Sequence, residues 1–508
     1  MQASLTSFYF LCFLAVVILL YYVIPKKLQW GVLLTASIAY YLLSGNGILI
    51  LYPVLGCLVA YAGTLAIERS SKRKLAFGIT LLLLLGTLFA LKYVNFIINT
   101  VNALVGIFNP PFGALPNTSF AVPLGISFYT FTILGYVIDV YNKITEAQKN
   151  YFKLLCFGMY FPTVLSGPIM KYREDSEQFF TAHKVNYDNL CLGAQRILWG
   201  FFKTIVISER MRVIVDTVYD NPSDYTGIYV IFATICYAFE LYTNFSGAMD
   251  IVLGISQMLG LRLPENFETP FFSQTVSEYW RKWHITLGVW MKEYVFYPLL
   301  RTGWMVKVMS KSKEKFGKKK GKMLATFLAM FILWFTVGVW HGGDWKYVIG
   351  SGLLHWLYIV SEEATEPFFN SLWAKLKVNP KSKVLVCIRV VRTFLLVCIG
   401  FIFFRANTFS QALLLIKNIF GGFGFVQFVT GGIFTLGLDP IEAVIALVSL
   451  GILICVSALC QKQSVRERIS TKPLALRWII WYALLFYTIL LGYYGPGFSA
   501  AEFIYQGF

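Results

Sequence analysis

Apolar runs of membrane-spanning length recur from one end of this chain to the other. They fall near 8–24, 29–45, 47–66, 75–93, 119–141, 150–168, 191–207, 226–243, 284–300, 323–341, 344–361, 384–404, 440–460 and 476–493. A bilayer core about 30 Å thick is crossed by roughly 20 apolar residues of helix. Inside it every backbone polar group must be satisfied, which leaves only helices and closed barrels. Barrel strands alternate with period two, whereas these runs are continuously apolar. The expectation is therefore an all-α, polytopic membrane protein. Composition agrees: 57% of residues are hydrophobic and 14% charged, against roughly 25% charged in a soluble domain. Several runs are interrupted or amphipathic, so about eleven true spans are expected. The segments 247–260 and 264–284 carry too many polar residues to face lipid and read as re-entrant or interfacial helices buried in protein. The first run lacks a small-residue cleavage site and is expected to be a retained helix.

The formal net charge of +18 suggests nucleic acid at first sight. In a polytopic chain, however, Lys and Arg gather in cytoplasmic loops and set orientation, so no nucleic-acid partner is expected. Basic clusters mark that side: Lys26 and Lys27, Arg69 to Lys74, Arg301 to Lys322, Lys375 to Arg392, and Lys462 to Arg477. The stretch 301–322 is the strongest, with nine Lys or Arg against one Glu. The Pro-rich stretch Asn109 to Ser119, free of Lys and Arg, reads as an outer loop with a sequon at Asn117. The nine cysteines are scattered and form no C-x-x-C pair, which points to buried, inert thiols and no metal site. No phosphate-binding loop, G-x-S-x-G or H-E-x-x-H is present, so the common signatures of NTPases, serine hydrolases and zinc proteases are missing.

Chemistry concentrates between Glu278 and His355, where three of the four histidines lie. The first, His284, ends the sequence Glu278-Tyr-Trp-Arg281-Lys-Trp283-His284. The second, His341, sits in Trp340-His341-Gly-Gly-Asp344. His284 precedes the basic stretch by about as many residues as His341 follows it. At about 1.5 Å of rise per residue, both reach comparable depth and can face one another. Gly342 and Gly343 are expected to end a helix and free backbone N–H groups. A lone histidine on an apolar face is ordinarily a satisfied core residue. Two at one depth, beside tryptophans and near Glu278, Arg281 and Asp344, are candidates for proton transfer.

At these residues the sequence resembles the membrane-bound O-acyltransferase (MBOAT) family, most closely its branch that O-acetylates polysaccharides such as alginate. Pro123-Leu-Gly-Ile-Ser-Phe-Tyr, Phe161-Pro-Thr-Val-Leu-Ser-Gly-Pro168-Ile-Met-Lys171-Tyr, Tyr242-Thr-Asn-Phe-Ser246-Gly-Ala-Met-Asp250 and Leu263-Pro-Glu-Asn266-Phe follow one another in the family's order. The two histidine elements then complete it. Each element alone is weak, but together they cover about 120–360. The resemblance divides the chain into N-terminal transmembrane helices (1–118), a catalytic core (119–361) and C-terminal transmembrane helices (362–508). It implies helices around a central tunnel, where an acyl thioester from the cytoplasm meets an acceptor hydroxyl from outside. No bound cofactor is implied. Acyl-CoA, above all acetyl-CoA, or an acyl carrier serves as co-substrate. His341 is implied as the catalytic histidine, a general base or a holder of the hydroxyl, with His284 as the second candidate. His284, Trp283 or a backbone N–H near Gly342 would stabilise the oxyanion. Trp340, Lys171, Arg281, Asn266 and Asp250 join Trp283 as candidate donor or substrate contacts.

Two positions depart from the family pattern. Lys171 stands where arginine is common and loses bidentate geometry. Lys292-Glu293 replaces the usual R-D pair, which leaves the donor open. The bland reading of Asp139 and Asp250 is a buried ion pair, and that of His355 is structural. The implied partners are membrane lipid, a polysaccharide acceptor, an acyl carrier protein and a separate exported acyltransferase that completes the transfer. The expected location is a bacterial cytoplasmic membrane. D-alanyl transfer to teichoic acid is the rival within the family. A lipid or glycan transporter using buried histidines is the rival outside it.

Overall fold

The computed structural model describes residues 4–107 and 114–494. Regular structure among them is helical throughout, apart from one isolated antiparallel bridge between Phe267 and Trp283. Among the described residues, eight helices are long and apolar enough to cross a membrane: Gly47–Arg69, Arg73–Lys92, Tyr187–Tyr219, Ile228–Met258, Lys318–Gly342, Lys383–Arg405, Pro440–Cys460 and Leu474–Leu491. Four shorter apolar helices, Phe8–Val23, Val94–Gly106, Ile126–Tyr141 and Phe409–Ile419, accompany them. The protein is thus a multi-pass membrane protein.

Several of the apolar runs are also broken in ways that hydropathy does not register. The apolar run 150–168 is helical only over Tyr151–Gly158 and then turns through buried, irregular backbone. The run 284–300 is split into Ile285–Met291, a π-helical turn Lys292–Phe296 and Tyr297–Leu300. A further π-helical stretch, Tyr347–Leu353, opens the run near 344–361.

The segment 247–260 is not re-entrant, as its polarity suggested; it is the C-terminal part of the continuous helix Ile228–Met258. Its polar groups are satisfied without a break. Asp250 pairs with Arg196 at 2.9 Å, and the Ser256 hydroxyl donates to the Val252 carbonyl. A buried polar side chain with a partner need not face lipid or interrupt a helix. By contrast, 264–284 is irregular, with one 3₁₀ turn at Pro270–Phe272 and a short helix Val276–Lys282. The basic stretch 301–322, expected to be a loop, is helical instead, Gly303–Phe316 turning at Gly317 into Lys318–Gly342. Of the expected outer loop, residues 109–113 lie outside the described residues.

Contacts divide the chain into two compact units. One takes the described residues up to Phe201 together with Ala248–Pro264. The other takes Phe202–Gly247 and the described residues from Glu265 onward. Both central histidines belong to the second unit. There the Lys318–Gly342 helix packs against the π-helical Tyr347–Leu353. Gly338 makes this approach possible, since a Cβ added to it would lie 2.6 Å from the Val348 Cα. Backbone cannot give way as a side-chain tip can, and overpacking a tight contact typically costs about 1–3 kcal/mol. Gly338→Ala is therefore expected to lower the thermal unfolding midpoint. Gly451→Ala, where the added Cβ has open space, serves as the control that leaves it unchanged.

Candidate active site

His284 is presented by an unusual piece of backbone. The Thr275 hydroxyl caps the Val276–Lys282 helix by accepting from the Glu278 N–H at 3.0 Å. Burial alone would raise the Glu278 carboxyl, but the Lys282 ammonium at 2.7 Å and the Gln274 N–H hold it below its ordinary range. Trp283 is then extended, and His284 itself adopts φ 49°, ψ 51°. A non-glycine residue in this left-handed region carries strain of about 1–2 kcal/mol. The strain persists because Asn266 fixes the turn from below. Its carbonyl accepts from the Ile285 N–H at 3.1 Å. Its side-chain Oδ1 accepts from the Thr286 N–H at 3.0 Å and the Thr286 hydroxyl at 2.7 Å. The same Oδ1 lies 3.4 Å from His284 Nδ1. The Phe267–Trp283 bridge and a bond from the Glu268 N–H to the Lys282 carbonyl clamp the two strands of this bend. Asn266, at 0% exposed, is the keystone of the turn.

His341 arrives from the other side. It is the penultimate residue of the Lys318–Gly342 helix, which stops because Gly343 takes a left-handed φ of 58° and its N–H closes onto the Val339 carbonyl. Trp340 stands between the two histidines. Its ring centroid is 5.0 Å from that of His341 and 5.9 Å from that of His284. Phe404 closes on His341 at 5.4 Å, and Phe245 meets His284 edge-on at 4.9 Å. All three polar-capable rings are buried. Two imidazoles thus share one indole in a site enclosed by aromatic rings. Such a site excludes water and strengthens any hydrogen bond made in it.

The sequence that builds this site has relatives among known proteins. A sequence model of the MBOAT, membrane-bound O-acyltransferase family, matches residues 146–406. The probable alginate O-acetylase AlgI of Pseudomonas aeruginosa is 31% identical over 423 residues, covering 81% of this chain and 73% of that protein. The chain belongs to the membrane-bound O-acyltransferase family. It is also similar to the peptidoglycan O-acetyltransferase of Helicobacter pylori, 27% identical over 59% of this chain and 57% of that protein. The teichoic acid D-alanyltransferase of Bacillus subtilis is 29% identical over 57% of this chain and 70% of that protein.

In this acyltransferase the structure brings His284, His341, Trp340, Trp283 and Asn266 together within the second unit, and gives Arg281, Lys171 and Asp250 partners of their own. Arg281 is exposed and donates to the Ser277 hydroxyl one turn back. Lys171 and Asp250 belong to the first unit. Asp250 pairs with Arg196, as Asp139 pairs with Arg173 at 3.0 Å. Lys171 pairs with Glu174 at 3.3 Å, and its N–H donates to the Asp175 carboxylate. Burial pushes the Asp175 carboxyl from its ordinary 3.8 up to about 6, against the lowering effect of that N–H. A carboxyl whose folded pKa is raised favours the protonated form, so its contribution is present below about pH 4 and lost as pH rises through 6. Thermal stability is expected to show a downward component across that window, and Asp175→Asn to flatten it.

His355, at 2% exposed, is enclosed by Trp280 at 4.9 Å and Trp334 at 6.0 Å. Trp283 is itself a packing hub, with Tyr279 stacked at 5.6 Å and Phe267 edge-on at 5.0 Å. Phe404 and Thr286 were not singled out from the sequence. Phe404 lies in an ordinary apolar run, and no local pattern marks it as the neighbour of His341. Thr286 follows His284 by two residues, and nothing local marks its hydroxyl as a partner of Asn266.

Proposed function

We propose that this acyltransferase transfers an acetyl group from a cytoplasmic thioester, acetyl-CoA foremost, to a hydroxyl of a cell-surface polysaccharide or of an exported partner enzyme. His341 takes the proton. The observation that carries this reading is the burial of His341 at a helix end, with Trp340 linking it to His284. The acceptor oxygen attacks the thioester carbonyl carbon while its proton passes to a ring nitrogen of His341. The tetrahedral intermediate collapses, the C–S bond breaks, and the proton is returned to the leaving thiolate. An ester and a free thiol result. His284 suits the oxyanion better than Trp283, since it shares Trp340 with His341 while Trp283 is enclosed by other rings. The Gly343 N–H, expected to be free for such a role, is instead bonded to the Val339 carbonyl, and the C-terminal end of a helix leaves carbonyls rather than N–H groups exposed.

Acetyl is favoured over D-alanyl because the similarity to the alginate O-acetylase extends over 81% of the chain, and that to the D-alanyltransferase over 57%. The test is donor competition in membranes containing the full protein, its polymer acceptor and any exported partner. Labelled acetyl-CoA is expected to yield base-labile label on polymer or partner. Label delivered from a D-alanyl carrier protein, with none from acetyl-CoA, overturns the acetyl reading. Polymer transport at an unchanged rate without any ester formed overturns acyl transfer as the activity read here.

A further inference from the structure

Residues 406–439 join the spans Lys383–Arg405 and Pro440–Cys460. Nothing in the reaction just described uses them. We infer that this connector is immersed in the lipid of the outer leaflet, as a membrane-embedded element that does not cross the bilayer.

Its placement follows from the two spans. Lys383–Arg405 begins within the basic stretch 375–392, and Pro440–Cys460 ends just before the basic stretch 462–477. Lys and Arg favour the cytoplasmic side, so the connector starts and finishes at the outer face. Its longest helix, Phe409–Ile419, has 11 residues. At 1.5 Å of rise per residue this is roughly 16 Å, too short for a hydrocarbon core about 30 Å thick.

The composition is not that of an aqueous loop. The 34 residues contain six phenylalanines, one lysine and one aspartate. At the charge content of a soluble domain, about eight charged residues would be expected. The 13-residue connector on the opposite face, 461–473, carries five: Lys462, Arg466, Glu467, Arg468 and Lys472.

The side chains point accordingly. Gln411 and Asn418 turn inward from Phe409–Ile419, donating to the Tyr219 and Pro222 carbonyls at 2.6 Å each. Outward stand Leu413 and Leu414, then Phe420 at 85% exposed, Phe423 at 56% and Val426 at 69%. A segment facing water places amides outward and large apolar side chains inward. Ser410 and Lys417 are the exposed polar residues of the helix, and a lysine stem lies along apolar surface while its ammonium reaches the headgroups. The backbone is satisfied as well. The Gly227 N–H donates to the Asn418 carbonyl at 2.8 Å, the Ile228 N–H to Phe423 at 3.1 Å, and the Thr226 hydroxyl to Gly422 at 3.2 Å. Irregular backbone at lipid depth requires such partners.

Continuity favours lipid over a protein as what covers this face. The next large exposed apolar side chains after Phe434 are Ile441, Val444 and Leu447, in the first two turns of the following span. The connector also begins two residues after Phe404, whose ring closes on His341. The outer end of the helix that carries Phe404 is thus moored in lipid.

The test uses wild-type protein in liposomes of phosphatidylethanolamine and phosphatidylglycerol, with a phospholipid bearing a diazirine on one acyl chain. After photolysis, carbene-labelled residues are mapped by mass spectrometry, and a matching sample undergoes hydroxyl-radical footprinting. Residues 420–429 are expected to take carbene label at a level similar to 441–447. Their radical oxidation is expected to be several-fold below that of the same peptide free in solution. Strong oxidation without carbene label places the connector in water and overturns the proposal. Protection from both reagents means that a protein covers it, a second copy included, and overturns it as well. Phe420→Asp with Val426→Asp is expected to cut the carbene label on 420–429 several-fold, while 441–447 keep theirs and so report a folded, inserted chain. Undiminished label on 420–429 in that variant overturns the proposal.

Discussion

Replacing His341 with alanine is expected to reduce acyl transfer roughly 10²–10⁴-fold at equal protein, the usual contribution of a positioned general base. In activation free energy this is about 3–5 kcal/mol. Alanine also leaves a gap between Trp340 and Phe404, so part of any loss could reflect collapse of the site. His341→Gln keeps most of the volume and a hydrogen-bonding side chain but cannot take up a proton near neutral pH. Both variants should therefore lose initial rate to a similar extent while the glutamine variant keeps a near-native unfolding midpoint. The measurement is the rate of ester formation from labelled acetyl-CoA, beside a melting curve for each protein. Full activity in His341→Gln would remove His341 as the base and transfer that role to His284, whose own alanine and glutamine variants would be next.

Asn266→Ala is expected to have the largest effect on stability of any single change around the site. It leaves the Thr286 N–H and hydroxyl buried without their acceptor. Each such group costs about 1–3 kcal/mol, and the two share one environment, so roughly 3 kcal/mol is expected in all. The change also unlocks the left-handed turn at His284. A double variant separates these effects. Glycine adopts that backbone region without strain, so adding His284→Gly to Asn266→Ala should recover part of the melting temperature and none of the activity. An Asn266→Ala protein with an unchanged unfolding midpoint would show that the turn is held by other contacts.

The histidine elements show how far a linear reading reaches. The order of the motifs and the similar spacing of His284 and His341 from the basic stretch pointed to comparable depth, and in the structure both rings lie against Trp340. Nothing local announced that His284 would be left-handed, because that conformation depends on Asn266, held across the bend. Nor did the sequence show that Asp250 would pair with Arg196. A carboxylate in an apolar run looks the same whether it meets a ligand or an arginine such as Arg196.

The same contrast runs through the fold. Hydropathy is a sum over neighbouring residues, and every segment of an all-α membrane protein must be apolar enough to leave water and hydrogen-bonded within itself. Sequence alone therefore determined the class and the helical character. A helix break, by contrast, is decided by what lies across from it. The π-helical turns at Lys292–Phe296 and Tyr347–Leu353 are formed by residues whose hydropathy would allow an unbroken helix. Gly338 permits close packing only because Val348 is there to receive it. The number of continuous spans, the partner of each buried charge and the ring that closes on His341 were settled by contacts between residues far apart in the chain. Their energies appear only once the tertiary structure has brought those residues together.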